Sequence, residues 1–248
     1  TVSRSWTAGH VPITDLEFSS CVFDGEGYDD GEGGRNAIVL KRVGGVVKFD
    51  NNEFKNYRGW ATLDLNDGSG GGPLTVTSYT LTDNNIHDNW GSSALRGNPA
   101  DQTDTVTVTG NTFESNGNPA ASFWAALEVN EAADVTISDN TIRDTHAGNW
   151  GEGQALQLWQ LGQADIHGNI IQDNYEGIAF LKWPAAETYD LSNTSVYDNA
   201  FSGNDQYALS VETGLTGGPL DADGNWWGDP SGPGGAGPAR PPAECLSR

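Results

Sequence analysis

One Asn-centred phrase returns along the whole chain, as FDNNEF, LTDNNI, VTGNTF, ISDNTI, IHGNII, VYDNAF and DADGNWW. Aligned on a single column, it reads Cys21, Asn52, Asn84, Asn111, Asn140, Asn169, Asn199, Asn225, with spacings of 31, 32, 27, 29, 29, 30 and 26 residues. Self-similarity at a period near 30 means a repeat architecture. Every unit alternates apolar and polar residues with period two, and none carries an amphipathic helical pattern, which removes the helical solenoids. Three short strands are legible per unit. The first places Phe18, Phe49, Leu81, Val108, Ile137, Ile166, Val196 and Ala222 three positions before the column. The second places Phe23, Phe54, Ile86, Phe113, Ile142, Ile171, Phe201 and Trp227 two positions after it. The third follows a variable loop, as NAIVLK, WATLDL, SALRG, WAALEV, QALQLW, GIAFLK and YALSVE.

A three-strand coil of this length closes into one rung of a parallel β-helix, each strand pairing with its counterpart one coil away at about 4.8 Å. The expected fold is all-β, with seven to eight coils making a rod of roughly 35 Å. Asn suits the column because it tolerates the left-handed turn conformation and its stacked amides hydrogen-bond along the axis.

The phrases N-x-[IF]-x-x-N and G-I-A-F-L at this period resemble the right-handed, single-stranded parallel β-helix repeats of the pectate-lyase-like superfamily. The run GNWWGDPSGP at residues 224–233 resembles the last coil of many secreted and cell-surface β-helix proteins. The resemblance implies a right-handed helix over residues 12–230, with residues 1–11 as a lead-in and 231–248 as a Gly/Pro-rich tail or linker. It implies a secreted or cell-surface location. It does not select an activity, because such helices serve lyases, hydrolases, epimerases, phage tailspikes and non-catalytic surface proteins.

Thirty-four acidic against twelve basic side chains give a formal charge of −22. Such a surface repels phosphate backbones and anionic lipid, so neither nucleic acid nor an anionic membrane surface is an expected partner. No run reaches the roughly 18 apolar residues of a membrane span, so membrane insertion is not expected. An acidic, Lys-poor surface suits salty surroundings, where screening weakens self-repulsion. The chain opens on TVSRSW with no charged and apolar leader, which reads as a processed or excised segment, either a monomer or part of a larger surface protein. Cys21 and Cys245 are expected as free thiols. His87 and His167 are expected at the surface.

The third strands carry the candidate site. Inward pairs are read as Leu63/Leu65, Leu95/Gly97, Leu127/Val129, Leu156/Leu158, Ile178/Phe180 and Leu209/Val211, which leaves Val39, Asp64, Arg96, Glu128, Gln157, Ala179 and Ser210 as one exposed outward column. Beside it run Trp60, Ser92, Trp124, Gly153, Tyr175 and Gln206 and a row of small residues, Thr62, Ala94, Ala126, Ala155, Gly177 and Ala208, with Trp159, Lys182 and Trp183 just past the strands. Flat aromatic faces beside a polar trench suit sugar rings, whose C–H faces are apolar and whose hydroxyls need polar partners. Substrate binding is assigned to Trp60, Trp124, Trp159, Tyr175 and Gln157, and any catalysis to Arg96, Lys182, Asp64 and Glu128. An ion-pair ladder without function is the plain alternative, worth ~0.2–1 kcal/mol per cross-strand pair.

The resemblance implies two chemistries for an enzyme of this kind. A lyase needs a Lys or Arg base and a cation on the uronate carboxylate, and a hydrolase needs two carboxylates about 5–9.5 Å apart. The hydrolase, epimerase and lyase signatures Asn-Thr-Asp, Arg-x-Lys, Asp-Pro-His and Trp-x-Asp-His are absent. No metal ligands are assigned. The loop DGEGYDDGEGGRN at 24–36 is a candidate for Ca²⁺ but fits no calcium-loop spacing, so a solvated acidic turn is preferred. With THAGNWGEG at 145–153 it is expected to wall the trench. The function read from the sequence is a β-helix that binds a polysaccharide along its third-strand face, with cleavage left open. The alternative is a non-catalytic structural or adhesive module.

Overall fold

A computed structural model of the chain describes residues 14–28, 36–41, 44–66, 76–97, 104–119, 123–148, 152–182, 189–217, 220–228 and 245–247. Their strands fall into three sheets of seven, seven and eight strands, and every strand pairing is parallel. Neighbours in each sheet come from successive sequence units, as Thr105–Thr109 lies between Val76–Thr82 and Asp134–Ser138. The chain therefore completes one lap of the three sheets per repeat, which is a parallel β-helix. Cys245–Ser247, inside the segment read as a tail, pairs with Leu209–Val211 at the end of the third sheet.

The two apolar columns stack as their spacing predicts. Phe49, Leu81, Val108, Ile137, Ile166 and Val196 are fully buried in one file, and Phe54, Ile86, Phe113, Ile142, Ile171 and Phe201 in the next. Burying each such side chain contributes about 1.5–3 kcal/mol. At the ends the rings stack in parallel: Phe18 on Phe49 at 5.1 Å, Phe23 on Phe54 at 4.6 Å and Phe201 on Trp227 at 5.0 Å.

Between the first and second strands the Asn column forms a continuous ladder. Asn111 donates its backbone N–H to Asn140 Oδ1 at 2.9 Å and its Nδ2 to the same oxygen at 3.0 Å, while Nδ2 also donates to the Leu81 carbonyl at 2.9 Å. The same pattern runs from Asn52 to Asn225, and the Cys21 N–H begins it at 3.0 Å from Asn52 Oδ1. Each amide thus satisfies turn backbone that would otherwise be buried without partners.

The left-handed residue of the turn is not the ladder Asn, as the sequence suggests, but the one before it. Ser20, Asn51, Asp83, Gly110, Asp139, Gly168, Asp198 and Gly224 all have φ between 53° and 73°. The division is physical: the ladder Asn must aim its amide inward, and its neighbour makes the reversal, for which Gly, Asn and Asp are suited.

A second ladder lies five residues on, at the corner leading to the third strand. Asn89 donates N–H and Nδ2 to Asn116 Oδ1, each at 3.2 Å, and Asn174 does the same to Asn204 at 3.1 Å. Thr145 interrupts it. Its N–H reaches Asn174 Oδ1 at 3.1 Å, but its buried hydroxyl has no partner and offers none to Asn116.

Candidate functional site

The third sheet sets the site, and its register differs from the sequence expectation at one strand. A register shift between Ala61 and Leu63 pairs Ala61 with Ser92, Leu63 with Ser93 and Leu65 with Leu95. The inward pair of this strand is therefore Ser93 and Leu95, not Leu95 and Gly97, and Ala94 stands between Asp64 and Glu128. Arg96 moves one outward position along, level with Asn66 and Asn130. Sequence alternation does not display this register, because Ser93 is a hydroxyl residue buried inside the core where an apolar one is expected.

A second expectation is also corrected: the outward column is not an exposed face. Asp64, Ala94, Glu128, Ala179 and Ser210 are each no more than 1% exposed and Gln157 is 6% exposed. An opening lies at the upstream corner of three rungs, where a cavity of about 240 Å³ is lined by Trp60, Ala61, Ser92, Ala94, Arg96, Trp124 and Glu128. Trp60 and Trp124 remain 52% and 37% exposed, two strand spacings apart, or about 9.5 Å along the axis.

Each wall has a local cause. Trp60 ends the loop before strand Ala61–Asn66, and the Ala61 N–H is held by Asn36 Oδ1 at 3.2 Å. Ser92 Oγ accepts from the Trp124 and Ala125 N–H groups at 3.4 and 3.2 Å, fixing the backbone that carries the second indole. On the rung between them stands Gly91, where a side chain would run into the backbone of Trp60 and Ala61. The small residues at this rung leave the floor free between the two rings.

The polar end is an ion pair between a partly exposed guanidinium and a buried carboxylate. Arg96 Nη2 lies 3.0 Å from Glu128 Oε1, and Asn130 Nδ2 donates to the same oxygen at 2.7 Å. Both contacts fall on Oε1, which leaves Oε2 for a molecule in the cavity. Burial raises the Glu128 pKa above the usual carboxylate range; the charge and hydrogen bonds of Arg96 and Asn130 pull it back in part, and the charge of Asp64 adds to the rise. A carboxyl with its pKa raised in this way is suited to general acid–base chemistry.

Of the residues expected at the site, Trp60, Trp124, Arg96 and Glu128 come together around this cavity. Asp64 is fully buried, two strand spacings from Glu128, and does not line it. Gln157 sits beside Glu128 on the next strand, with its Oε1 buried and unbonded. Trp159, beside Asn130, is 9% exposed, and Tyr175 is half-buried at a more distant corner. Lys182 follows strand Glu176–Phe180, three spacings or about 14 Å from the strand of Arg96, and its N–H donates to Glu212 Oε2. Trp150, Trp183 and the acidic run 29–35, where Ca²⁺ was the alternative, lie outside the described residues. Among the described residues no three His, Cys, Asp or Glu side chains are grouped to hold a metal ion.

Asn130 was missed in the sequence. The signal was its position two residues after Glu128, on the same outward side of the strand.

The family described as "Right handed beta helix region" matches residues 4–217. The chain belongs to this family, and the pectate-lyase-like resemblance is consistent with it. No curated protein and no solved structure matches the chain.

Proposed function

We propose that this right-handed β-helix binds a polysaccharide and holds one sugar unit in the cavity between Trp60 and Trp124. The observation that carries the reading is the cavity itself: two exposed indoles flank a floor of Ala and Ser, with a charge-assisted hydrogen-bond group at one end. The indoles supply apolar faces for the ring C–H groups, and Glu128 Oε2 accepts from a ring hydroxyl. Secretion or surface display follows as part of the same proposal, since such polymers lie outside the cell.

Cleavage is a further step of the proposal, with Glu128 as the catalytic acid or base on the bound unit. The lyase route through Lys182 is disfavoured by its distance, and a paired-carboxylate hydrolase by the burial of Asp64 away from the cavity. The alternative, a structural or adhesive module, is favoured by the closed outer face along the rest of the third sheet.

Screening a panel of neutral and acidic polysaccharides for retention, with new reducing ends and unsaturated products as second readouts, tests both. Binding is expected to fall about tenfold, or ~1.4 kcal/mol, in each of Trp60→Ala and Trp124→Ala. Products that vanish in Glu128→Gln while binding persists establish catalysis. Retention by neither polymer class at any salt or Ca²⁺ level contradicts the proposal.

A further inference from the structure

Lys48, Lys55, Arg96 and Arg143 each form an ion pair with a glutamate. Arg58 is different. In a chain of charge −22, no carboxylate among the described residues pairs with it; its guanidinium instead lies over the Trp90 ring, 4.6 Å from the centroid. Both side chains are half-buried. The backbone beneath them is tied across the rungs by the Trp90 N–H donating to the Tyr57 carbonyl at 2.9 Å.

Position links this pair to the cavity. Arg58 precedes Trp60 by two residues and Trp90 precedes Ser92 by two, and two residues of chain span at most about 7 Å. The pair is therefore carried on the chain just before two cavity residues, on the side towards the second sheet, without itself lining the cavity. Stacking holds the guanidinium plane and leaves its N–H groups, which carry no hydrogen bond among the described residues, to face an acceptor.

We infer that Arg58 and Trp90 form a second subsite, in which Arg58 donates to the oxygens of the sugar unit next to the one in the cavity. The ligand then crosses the corner between the second and third sheets rather than lying along the outer face of the third. This rests on the glycan-binding reading above. The chemistry Arg58 recognises is an oxygen acceptor, either a hydroxyl pair or a uronate carboxylate.

The test is calorimetric titration of wild-type protein, Arg58→Ala, Arg58→Gln and Trp90→Phe with the monomer, dimer and tetramer of glucan, xylan, mannan and galacturonan. Wild-type affinity is expected to rise at least tenfold from monomer to dimer. Arg58→Ala and Arg58→Gln lose that rise and keep the monomer affinity, which a merely structural role for Arg58 would not separate; Trp90→Phe loses part of it. A gain largest in the galacturonan series identifies a carboxylate as the acceptor, and a gain largest in a neutral series identifies hydroxyls. If the length dependence persists undiminished in both Arg58 variants, the subsite is overturned while the cavity stands. If no series binds at any length, the cavity reading fails and the subsite fails with it.

Discussion

Asn140, in the middle of the first ladder, serves four groups: the N–H and Nδ2 of Asn111, the Val108 carbonyl and Asn169 Oδ1. Its replacement by Ala strands several buried polar atoms, and a loss of about 3 kcal/mol in urea unfolding is expected. Asn225→Ala, at the half-buried end of the ladder, should cost about 1 kcal/mol. His87 carries a pH signature. Burial alone would lower its pKa, but hydrogen bonds and charge from Asp88 and Glu53, at 2.7 and 3.2 Å, outweigh that and hold it above the ordinary value. The stabilisation is therefore complete below pH ~6.5, the ordinary histidine value, and disappears as pH rises through the raised native one. Glu53 is itself held below its ordinary range, by Lys55 first and His87 second, so it stays charged in that window. Wild type should melt above His87→Gln at pH 5.5, by an amount within ~0.2–1 kcal/mol, and level with it at pH 9. The surface expectation for His87 does not reveal this. Its partner Glu53 is 34 residues away and meets it through the winding, with the imidazole half-buried between two carboxylates.

The second ladder gives the element-scale test. With Asn at position 145, the amide would join Asn116 to Asn174 and remove an unpartnered buried hydroxyl, so Thr145→Asn is expected to stabilise by about 0.5–1.5 kcal/mol, read from the urea midpoint. Destabilisation would mean that this corner cannot accept the amide. The strands were legible because their apolar columns repeat at a near-constant period, and the second ladder was already present in the phrase N-x-[IF]-x-x-N. The register of Ser92–Arg96 was not. Its inward Ser93 carries no apolar mark, and the two steps from Ala61 to Leu63 lie opposite the single step from Ser92 to Ser93, an offset that alternation does not display. That single offset separated Arg96 from the column of Asp64 and Glu128, yet its long side chain still reaches Glu128. The candidate site thus kept its members while its layout changed. The closed outer face was illegible for another reason: alternation shows which side chains leave the lumen, not what covers them afterwards.

At the scale of the whole molecule, a charge of −22 opposes compaction, and only four carboxylate–Lys/Arg pairs relieve it among the described residues. Screening shortens from about 10 Å at 0.1 M salt to about 3 Å at 1 M, so the melting temperature is expected to rise by several degrees over that range. A flat or falling profile would show that the acidic surface is not a stability term. The winding itself organises the candidate site. It lifts Trp60 and Trp124 to the same corner from positions 64 residues apart in sequence, with Gly91 on the rung between them. The most direct measurement is therefore a crystal structure with the tightest-binding oligosaccharide of the panel. Density for a sugar ring between Trp60 and Trp124, with an oxygen in hydrogen-bond reach of Glu128 Oε2, is predicted. A ligand seated elsewhere on the rod, with this cavity empty, would contradict the account.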